Sequence, residues 1–351
     1  MRVDVETLTD VGRKRPHNED SHGTWVPESA RELDRRGALL VVADGMGGSL
    51  AGEVASRLAV QTVVRAWRDA TGERPLDDLY AALDAANQRV HEESGRNPEL
   101  HGMGTTCTAV VLRGRDLFVA HVGDSRAYLV RDGRIRQVTR DHSLVAQMVR
   151  DGQLTPEQAK TDPRRNVVTR SVGVGPHVEI DAERQEAALA PGDTVVLCSD
   201  GLHGLVADDE LARFASDPDL ARGCASAIGL ANDRGGHDNI TVLMARVTSV
   251  DSAAADEALR NAGDEADDDV PRDDDAPRDE AVGATAAGGG ATAVRGANSA
   301  HLLVWLIAAL IVLLVAVAAM LVVWQRIESE KSNLQGRDPG RTGEQATAWR
   351  P

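Results

Sequence analysis

Short apolar runs and longer helical repeats share the first 250 residues of the chain, and together they predict a mixed α and β domain. Six runs rich in β-branched residues, each bounded by polar turns, predict strands. They cover residues 38–43, 106–112, 117–121, 127–130, 194–198 and 240–247. Two stretches, about 50–70 and 77–95, place apolar residues three and four positions apart, as amphipathic helices do. The strands come in clusters joined by turn sequences such as the Arg-Asp-Gly at 131–133, and this grouping favours antiparallel sheets.

Residues 249–300 lose this periodicity, which predicts a disordered linker. The segment 251–280 holds 13 Asp or Glu against 3 Arg, a net charge of −10, and it contains no aromatic residue. A Gly- and Ala-rich stretch follows it up to residue 300. Both parts offer too little apolar surface to offset the entropy that ordering the chain would cost.

Residues 302–324 are 23 consecutive residues without a charge, which predicts one transmembrane helix. At about 1.5 Å per residue such a helix is roughly 34 Å long, enough to cross a hydrocarbon core of about 30 Å. Trp305 and Trp324 stand near its two ends, where indole rings favour the membrane interface. We therefore expect a single-pass protein of the cell membrane, with residues 325–351 as a short extracytoplasmic tail.

The globular domain is expected in the cytoplasm. The N-terminal sequence lacks the apolar core of a signal peptide, and the few cysteines fit a reducing compartment. The basic residues that flank the span favour the opposite orientation. Arg295 precedes the span, and Arg326, Lys331, Arg337 and Arg341 follow it. Acidic residues are interleaved with the downstream ones, so the tail of 27 residues is close to neutral and easy to translocate.

The charge and the cysteine content exclude two classes of protein. A net charge of −16 argues against nucleic acid as a main partner, because a phosphate backbone attracts Lys and Arg. Three cysteines in 351 residues exclude a disulfide scaffold. Cys107, Cys198 and Cys224 lie among small or apolar residues, so we expect reduced thiols in the core. A catalytic cysteine is the alternative, and no histidine pattern beside these residues supports it.

Five short acidic or glycine-rich signals in the globular region carry the candidate chemistry. Two of them are apolar strands that end in Asp-Gly, VVADGMGG at 41–48 and VVLCSDG at 195–201. The others are RPHNED at 15–20, VGDSR at 122–126 and GGHDN at 235–239. A single Asp-Gly is more often a turn than a ligand, and an isolated acidic loop is usually solvated. The set of five is therefore the specific signal.

Carboxylates at the ends of apolar strands cannot lie close together without compensation. A hard divalent cation, Mg²⁺ or Mn²⁺, supplies that compensation, and the glycine after each Asp lets the backbone bend and offer a carbonyl oxygen. Two ions bridged by one carboxylate would lower the pKa of a shared water and orient it for in-line attack. The planar guanidinium of Arg15 suits a phosphate monoester.

This ordered series of motifs resembles the metal-dependent Ser/Thr protein phosphatases of type 2C, the PPM family, in their bacterial form. The resemblance covers about residues 1–247 and includes TDVGRKRPHNED, VADGMGG followed by GE at 52–53, GMGTT, HVGDSRAY, DHS, SVG, CSDGL and GHDNIT. It implies an α+β fold for a catalytic domain at 1–248, a four-layer α-β-β-α sandwich of two antiparallel sheets. It also implies a binuclear Mn²⁺ or Mg²⁺ centre that acts on phosphoserine and phosphothreonine in proteins.

The resemblance assigns metal-binding roles to matching residues. Asp44 is similar to the family's ligand that bridges both ions, and Gly45 to the residue that adds a backbone carbonyl. Asp200 and Asp238 resemble ligands of one of the two ions.

Four further roles follow from the same resemblance. Glu19 resembles a ligand of the other ion, largely through water, with Asp20 as its supporting carboxylate. Arg15 resembles the arginine that binds the substrate phosphate. Asp124 resembles the carboxylate that, with Asp200, holds a third and weaker ion in bacterial members.

Residues from about 142 to 172 correspond to the family's mobile flap, which lies beside the active site and bears on substrate choice. Met46 stands where animal members carry a histidine thought to protonate the leaving group, so the general acid is open and a metal-bound water is the candidate. His203 stands where bacterial relatives often have Thr, either as a simple loop substitution or as a titratable group near the site. His142 and His121 are expected to be structural.

Three functions remain in competition. The leading one is a membrane-tethered phosphatase that reverses Ser/Thr kinase signalling, with receptor-type Ser/Thr kinases and their substrates as partners. A membrane-anchored pseudophosphatase that only binds phosphoproteins would usually lack one or more of the metal aspartates, and none is missing here. A phosphatase that acts on the antagonists of anti-sigma factors would usually carry divergent metal motifs and sensory domains, which this sequence does not show.

Overall fold

The computed structural model describes residues 1–47 and 49–250 of the chain. Its strands are β1 (Arg2–Asp10), β2 (Asp20–Trp25), β3 (Ala38–Met46), β4 (Gly104–Thr105), β5 (Cys107–Arg113), β6 (Asp116–Val122), β7 (Arg126–Arg131), β8 (Arg134–Gln137), β9 (Asp181–Arg184), β10 (Thr194–Cys198) and β11 (Ile240–Ser249). Its α-helices are α1 (Ala30–Arg36), α2 (Ser49–Asp69), α3 (Pro75–Arg96), α4 (Leu144–Arg150), α5 (Pro156–Thr161), α6 (Asp200–His203), α7 (Asp208–Ala215) and α8 (Leu220–Asp233).

The strands form two antiparallel sheets. One sheet has the order β1-β11-β10-β7-β8, and the other has the order β2-β3-β5-β6-β9 with the short β4 paired to β3. The longest pairing joins β1 to β11 over their whole length, from Asp10 opposite Ile240 at one end to Arg2 opposite Ser249 at the other. Strand β11 therefore runs from one end of its sheet to the opposite end.

The two sheets pack face to face, and a helix layer covers the outer face of each. Strand β3 shows the period of two that this packing requires. Leu39 and Val41 join the apolar cluster that contains residues of α2 and α3, whereas Leu40 and Val42 join the cluster between the sheets. A third apolar cluster packs α7 and α8 against the other sheet. The arrangement has four layers in the order helix, sheet, sheet, helix, as expected from the sequence.

The sequence pattern located the long apolar strands and the two longest helices, and it missed β4, the other helices and the more polar strands. All six predicted strands and both predicted helices are present, with ends that differ from the prediction by a few residues. Strands β1, β2, β8 and β9 were not predicted, because most of their residues are exposed or only half-buried and carry no apolar run.

The predicted linker at 249–300 lies outside the described residues beyond position 250, as do the predicted transmembrane helix at 302–324 and the tail at 325–351. In the part of the chain that the structure describes, no helix combines the length and the apolarity that crossing a bilayer requires. The last strand of the described residues, β11, ends at Ser249.

All three cysteines are buried and free, as predicted. Burial raises the pKa of Cys107, of Cys198 and of Cys224 to about 12, so each stays a thiol at neutral pH. Since the thiolate is the nucleophilic form of cysteine, these residues serve packing rather than catalysis.

Candidate metal centre

Two aspartates face each other across neighbouring strands of one sheet. Asp20 is the first residue of β2, and it pairs directly with Asp44 near the end of β3. Side chains of directly opposed residues project from the same face of a sheet. The strand register therefore forces two carboxylates together at this sheet end.

The other sheet brings further carboxylates to the same place. Asp200 follows the end of β10 and Asp238 precedes the start of β11, and these two strands are antiparallel neighbours. Asp124 lies in the turn where the chain passes from β6 in one sheet to β7 in the other. Five of the six predicted acidic positions, Asp20, Asp44, Asp124, Asp200 and Asp238, thus converge from both sheets.

The proximity of these carboxylates shows in their electrostatics. Burial raises the pKa of Asp44 well above its ordinary value, and the charges of Asp20, Asp200, Asp124 and Asp238 raise it further. Burial and the neighbouring Asp200 likewise raise the pKa of Asp20 to about 7 and that of Asp124 to about 8. The pKa of Asp200 is raised by burial and by Asp238. At neutral pH these groups can all be ionised only if a cation offsets their repulsion.

Buried oxygen atoms without partners mark where such a cation would fit. Oδ2 of Asp20 accepts hydrogen bonds from the hydroxyls of Ser199 and Thr241, both at 2.7 Å, while its Oδ1 is buried with no partner. Oδ1 of Asp200 is also buried and unpartnered. Within the described residues, no group of three or more acidic, histidine or cysteine side chains already closes around one point. The fit to a metal therefore rests on donor chemistry, since buried carboxylate oxygens are the ligands that Mn²⁺ and Mg²⁺ prefer.

A tight glycine contact joins Glu19 to the start of α2. The N–H of Gly45 donates to the carbonyl of Glu19 at 3.1 Å. A Cβ on Gly45 would lie 2.1 Å from the carbonyl oxygen of Gly52, and a Cβ on Gly52 would lie 2.1 Å from Oε2 of Glu19. Both glycines are therefore required for this approach. Burial raises the pKa of Glu19, whose side chain points toward the carboxylate cluster and Arg15.

Two threonines fix the backbone on either side of the Asp44 side chain. The N–H of Asp44 donates to Oγ1 of Thr106 at 2.8 Å, and its carbonyl accepts from Oγ1 of Thr105 at 2.8 Å and from the N–H of Thr106 at 2.9 Å. Both threonines belong to the GMGTT sequence, which carried no assigned role. Met46 pairs with Gly104 at the adjoining bridge and brings no titratable group there.

Asn239 ties the loop between β1 and β2 to the start of β11. Its Nδ2 donates to the carbonyls of His17 at 2.9 Å and Val11 at 3.0 Å, and its Oδ1 accepts from the N–H of Glu19 at 2.8 Å. This anchor holds the loop that carries Arg15, whose Nη2 lies 2.8 Å from Oδ2 of Asp238. The Arg15 side chain remains 48% exposed, so it is accessible to a substrate.

Three histidines lie near Asp124, and of these His121 and His142 are buried whereas His203 is half-buried. Nε2 of His203 lies 3.0 Å from the Asp124 carbonyl, and burial lowers the pKa of His203 to about 3. His203 is therefore not a group that titrates near neutral pH. His121 and His142 are packed with ring centroids 4.8 Å apart, as the structural interpretation predicted.

The predicted flap leaves and rejoins the domain at one point, where its two ends are hydrogen-bonded to each other. It contains α4 and α5, and its two ends are joined where Ser143 bridges Val168 and where the N–H of Leu144 donates to Val167 at 2.8 Å. Its base adjoins the Asp124 turn, since the N–H of His142 donates to the Gly123 carbonyl at 2.7 Å.

Comparison with known proteins agrees with this geometry. Residues 13–241 match the profile of the family described as protein phosphatase 2C. The serine/threonine phosphatase stp of Listeria monocytogenes is 38% identical over 245 residues, which are 68% of this chain and 94% of that protein. The serine/threonine protein phosphatase PstP of Mycobacterium tuberculosis is 38% identical over 262 residues, 75% of this chain and 48% of that protein. This chain thus matches about half of the mycobacterial relative's length.

A solved structure shows the same fold with metal bound. The catalytic domain of the serine/threonine protein phosphatase PstP in complex with 2 manganese ions aligns with a TM-score of 0.60 at 35% identity. The alignment covers 70% of this chain and 99% of that one.

The raised carboxyl pKa values predict how stability depends on pH. A carboxyl whose pKa is higher in the folded state binds its proton more tightly there, so its stabilising contribution is complete below the unfolded value near 4 and is lost as pH rises. With folded values of about 7 for Asp20 and about 8 for Asp124, we expect the metal-free protein to lose stability between about pH 4 and about pH 8. Mn²⁺ should restore that stability, and differential scanning calorimetry should show a larger Mn²⁺-induced rise in Tm at about pH 8 than at about pH 5.

Two substitutions control this experiment. Asp44→Asn removes one charge from the cluster, so the metal-free variant should exceed the wild type in Tm at about pH 8 and gain less from Mn²⁺. Asp132→Asn lies in an exposed turn and should behave like the wild type. An equal Mn²⁺ effect at both pH values would contradict the assignment of these carboxyls.

Proposed function

This chain belongs to the protein phosphatase 2C family, and from that premise we propose how its own residues hydrolyse phosphoserine and phosphothreonine in proteins. It is a serine/threonine protein phosphatase whose family uses Mn²⁺ or Mg²⁺. The observation that carries the proposal is the convergence of five aspartates from two sheets on one buried place.

We propose that this cluster divides between two ions. Asp44 would bridge both, the carbonyl of Gly45 would add a ligand, and Asp200 and Asp238 would complete one ion's set. The Asp44 side chain is central to this division because the charges of the other four aspartates all act on it. The ions, when bound, supply a water of lowered pKa and positive charge opposite the phosphoryl oxygens.

The second ion would take its ligands from the β2 side of the site. Glu19 would bind it largely through water, and Asp20 would support it with the oxygen that no hydroxyl occupies. Asp124 and Asp200 would hold a third, weaker ion. The hydroxyls of Ser199 and Thr241 fix Asp20, so its free oxygen keeps one direction.

Arg15 would bind the substrate phosphate at the open side of this cluster. Its guanidinium has the planar fork that matches two phosphate oxygens, and its present partner, Asp238, is itself a proposed metal ligand. Metal binding by Asp238 would therefore free the fork for the substrate. Met46 offers no proton, so we propose that water protonates the leaving serine or threonine oxygen.

We further propose that the enzyme works at the cell membrane, with its catalytic domain in the cytoplasm. The uncharged sequence at 302–324 is long enough to span a bilayer. The acidic and Gly/Ala-rich sequence follows β11, and a flexible chain of about 50 residues would reach roughly 40 Å. Receptor-type Ser/Thr kinases and their membrane-proximal substrates are the phosphoproteins that such a tether favours.

The first prediction concerns metal dependence. We expect the full chain in detergent to hydrolyse a phosphothreonine peptide with added Mn²⁺ and to stop when a chelator removes the ion. Asp44→Ala should lower kcat by more than about 100-fold, because it removes a ligand from both ions at once. Asp132→Asn is the matched control with wild-type rates expected. Turnover that survives complete metal removal would rule out the proposed mechanism.

The second prediction concerns the phosphate contact. Arg15→Ala should lower kcat/KM by about 30- to 150-fold, since a charge-assisted bidentate contact contributes about 2–3 kcal/mol. Arg15→Lys keeps the charge without the fork and should recover only part of that loss. Lys14→Ala removes a neighbouring charge and should change little. Calorimetry should find the same Mn²⁺ stoichiometry in all three variants, and unchanged kinetics in Arg15→Ala would move the phosphate site elsewhere.

The third prediction concerns orientation. With a tag at each end of the chain, protease added outside intact cells should remove the C-terminal tag and leave the N-terminal tag intact. Lysed cells, in which both tags become accessible, are the control. Digestion of the N-terminal tag alone would place the catalytic domain outside, and both the orientation and the cytosolic role would then be wrong.

A further inference from the structure

The turn that carries Asp124 is held at each of its three residues. The N–H of Gly123 donates to Nδ1 of His142 at 3.1 Å, and the carbonyl of Asp124 accepts from Nε2 of His203 at 3.0 Å. The hydroxyl of Ser125 lies 2.7 Å from that of Thr106, which also bonds to the backbone of Asp44. All of these contacts reach the backbone or the small side chains, and none of them occupies the Asp124 carboxylate.

The Gly123 contact fixes the protonation of the His142 ring. Because Nδ1 accepts a hydrogen bond from a backbone N–H, the proton of the neutral ring is on Nε2, which lies 3.2 Å from Oδ2 of Asp181 on β9. Nη1 of Arg170 lies 3.3 Å from the same Nε2, and since both atoms then carry protons, Asp181 is the acceptor for each. Arg170 in turn donates to Oδ1 of Asp181 at 2.9 Å. Gly123 has a φ of +116°, and a Cβ there would lie 2.5 Å from Thr106, so the turn has little room to shift. The imidazole thus bridges the turn and the neighbouring strand.

The backbone of His142 joins the same turn to the flap. Its N–H donates to the carbonyl of Gly123 at 2.7 Å, and its carbonyl accepts from the N–H of Thr169 at 2.7 Å. The first residue of the flap therefore contacts the Asp124 turn twice and the returning end of the flap once. Arg170, which orients Asp181, follows Thr169 directly.

We propose that His142 is a positioning residue. Its imidazole fixes the Asp124 turn and, through Asp181 and Arg170, also holds the base of the flap in place. The inference rests on the proposed function, in which Asp124 helps to hold a metal ion. Residues that orient metal ligands from outside typically affect metal affinity or activity by about 10- to 100-fold. A histidine present only to fill space would have no such effect.

His121 provides a matched control for simple packing. Its ring is buried beside that of His142, and it bonds to Thr108 and to the carbonyl of Arg140 rather than to Gly123 or Asp124. His121→Ala therefore removes a ring of the same size from the same place without removing the Gly123 contact.

Two conservative variants separate the two functions of the ring. The amide oxygen of an asparagine and Nδ1 of a histidine are the same number of bonds from Cα. His142→Asn therefore keeps an acceptor for the N–H of Gly123, but its shorter side chain cannot reach Asp181. The amide nitrogen of a glutamine is as many bonds from Cα as Nε2 of a histidine, so His142→Gln keeps a donor to Asp181. It has no acceptor at the position of Nδ1 for the N–H of Gly123.

The experiment uses the full chain in detergent, with MnCl₂ titrated by calorimetry and with kcat and KM measured on a phosphothreonine peptide. We expect His142→Ala to weaken the lowest-affinity Mn²⁺ site by about 10- to 100-fold and to lower kcat with little change in KM. His142→Asn should restore that affinity, and His142→Gln should not. In His142→Asn and His142→Ala, trypsin should cut the flap faster than in the wild type, because the Asp181 contact is lost.

The results distinguish failure of this inference from failure of the proposed function. If the wild type hydrolyses the peptide with Mn²⁺ and His142→Ala matches His121→Ala in both affinity and kcat, His142 serves packing alone. Rescue by glutamine rather than asparagine would also overturn the role assigned to the Gly123 contact. If the wild type shows no Mn²⁺-dependent hydrolysis, the proposed function fails and this inference fails with it.

Discussion

Repulsion among carboxylates that the fold holds together out of water is the constraint on which this structure depends. Asp20 and Asp44 are opposed by strand register, and Asp200 and Asp238 arrive from neighbouring strands of the second sheet. Among the described residues, Arg15 bonds to Asp238 and remains half-exposed, and this single guanidinium cannot balance five carboxylates. The carboxylate cluster at this end of the sandwich therefore requires divalent cations to offset its negative charge. In the proposed function the same cations also supply the chemistry.

Neutral side chains form hydrogen bonds with the carboxylates and with the backbone around them, and these bonds hold the carboxylates in position. Thr105 and Thr106 bond to the Asp44 backbone, Ser199 and Thr241 bond to one oxygen of Asp20, and Asn239 anchors the Arg15 loop. Hydroxyls and amides can do this without adding charge, so the ionic balance of the site is left to the metal. Small residues serve the same end, since Gly45 and Gly52 allow a contact that any side chain would block.

The sequence predicted what depends on local pattern and missed what depends on distant contacts. Apolar runs located β3, β5 and β10, and the Asp-Gly pairs that follow two apolar strands pointed to Asp44 and Asp200. The bond from Asn239 to His17 spans 222 residues, and no local signal announces it. The sequence leaves His203 open between a loop substitution and a titratable group, and only the fold places its ring against the Asp124 carbonyl. The ligand roles follow from family motifs, whereas the residues that position those ligands act through tertiary hydrogen bonds to the backbone.

The course of β11 has a consequence for which phosphorylated sites the enzyme can reach. The strand starts two residues after Asp238 and is ten residues long, which is about 30 Å at the usual rise of a strand. The proposed metal site and Ser249 therefore lie at opposite ends of this sheet. Under the membrane tether proposed above, a taut chain after Ser249 would hold the site away from the lipid surface, which would favour phosphosites that stand clear of the bilayer.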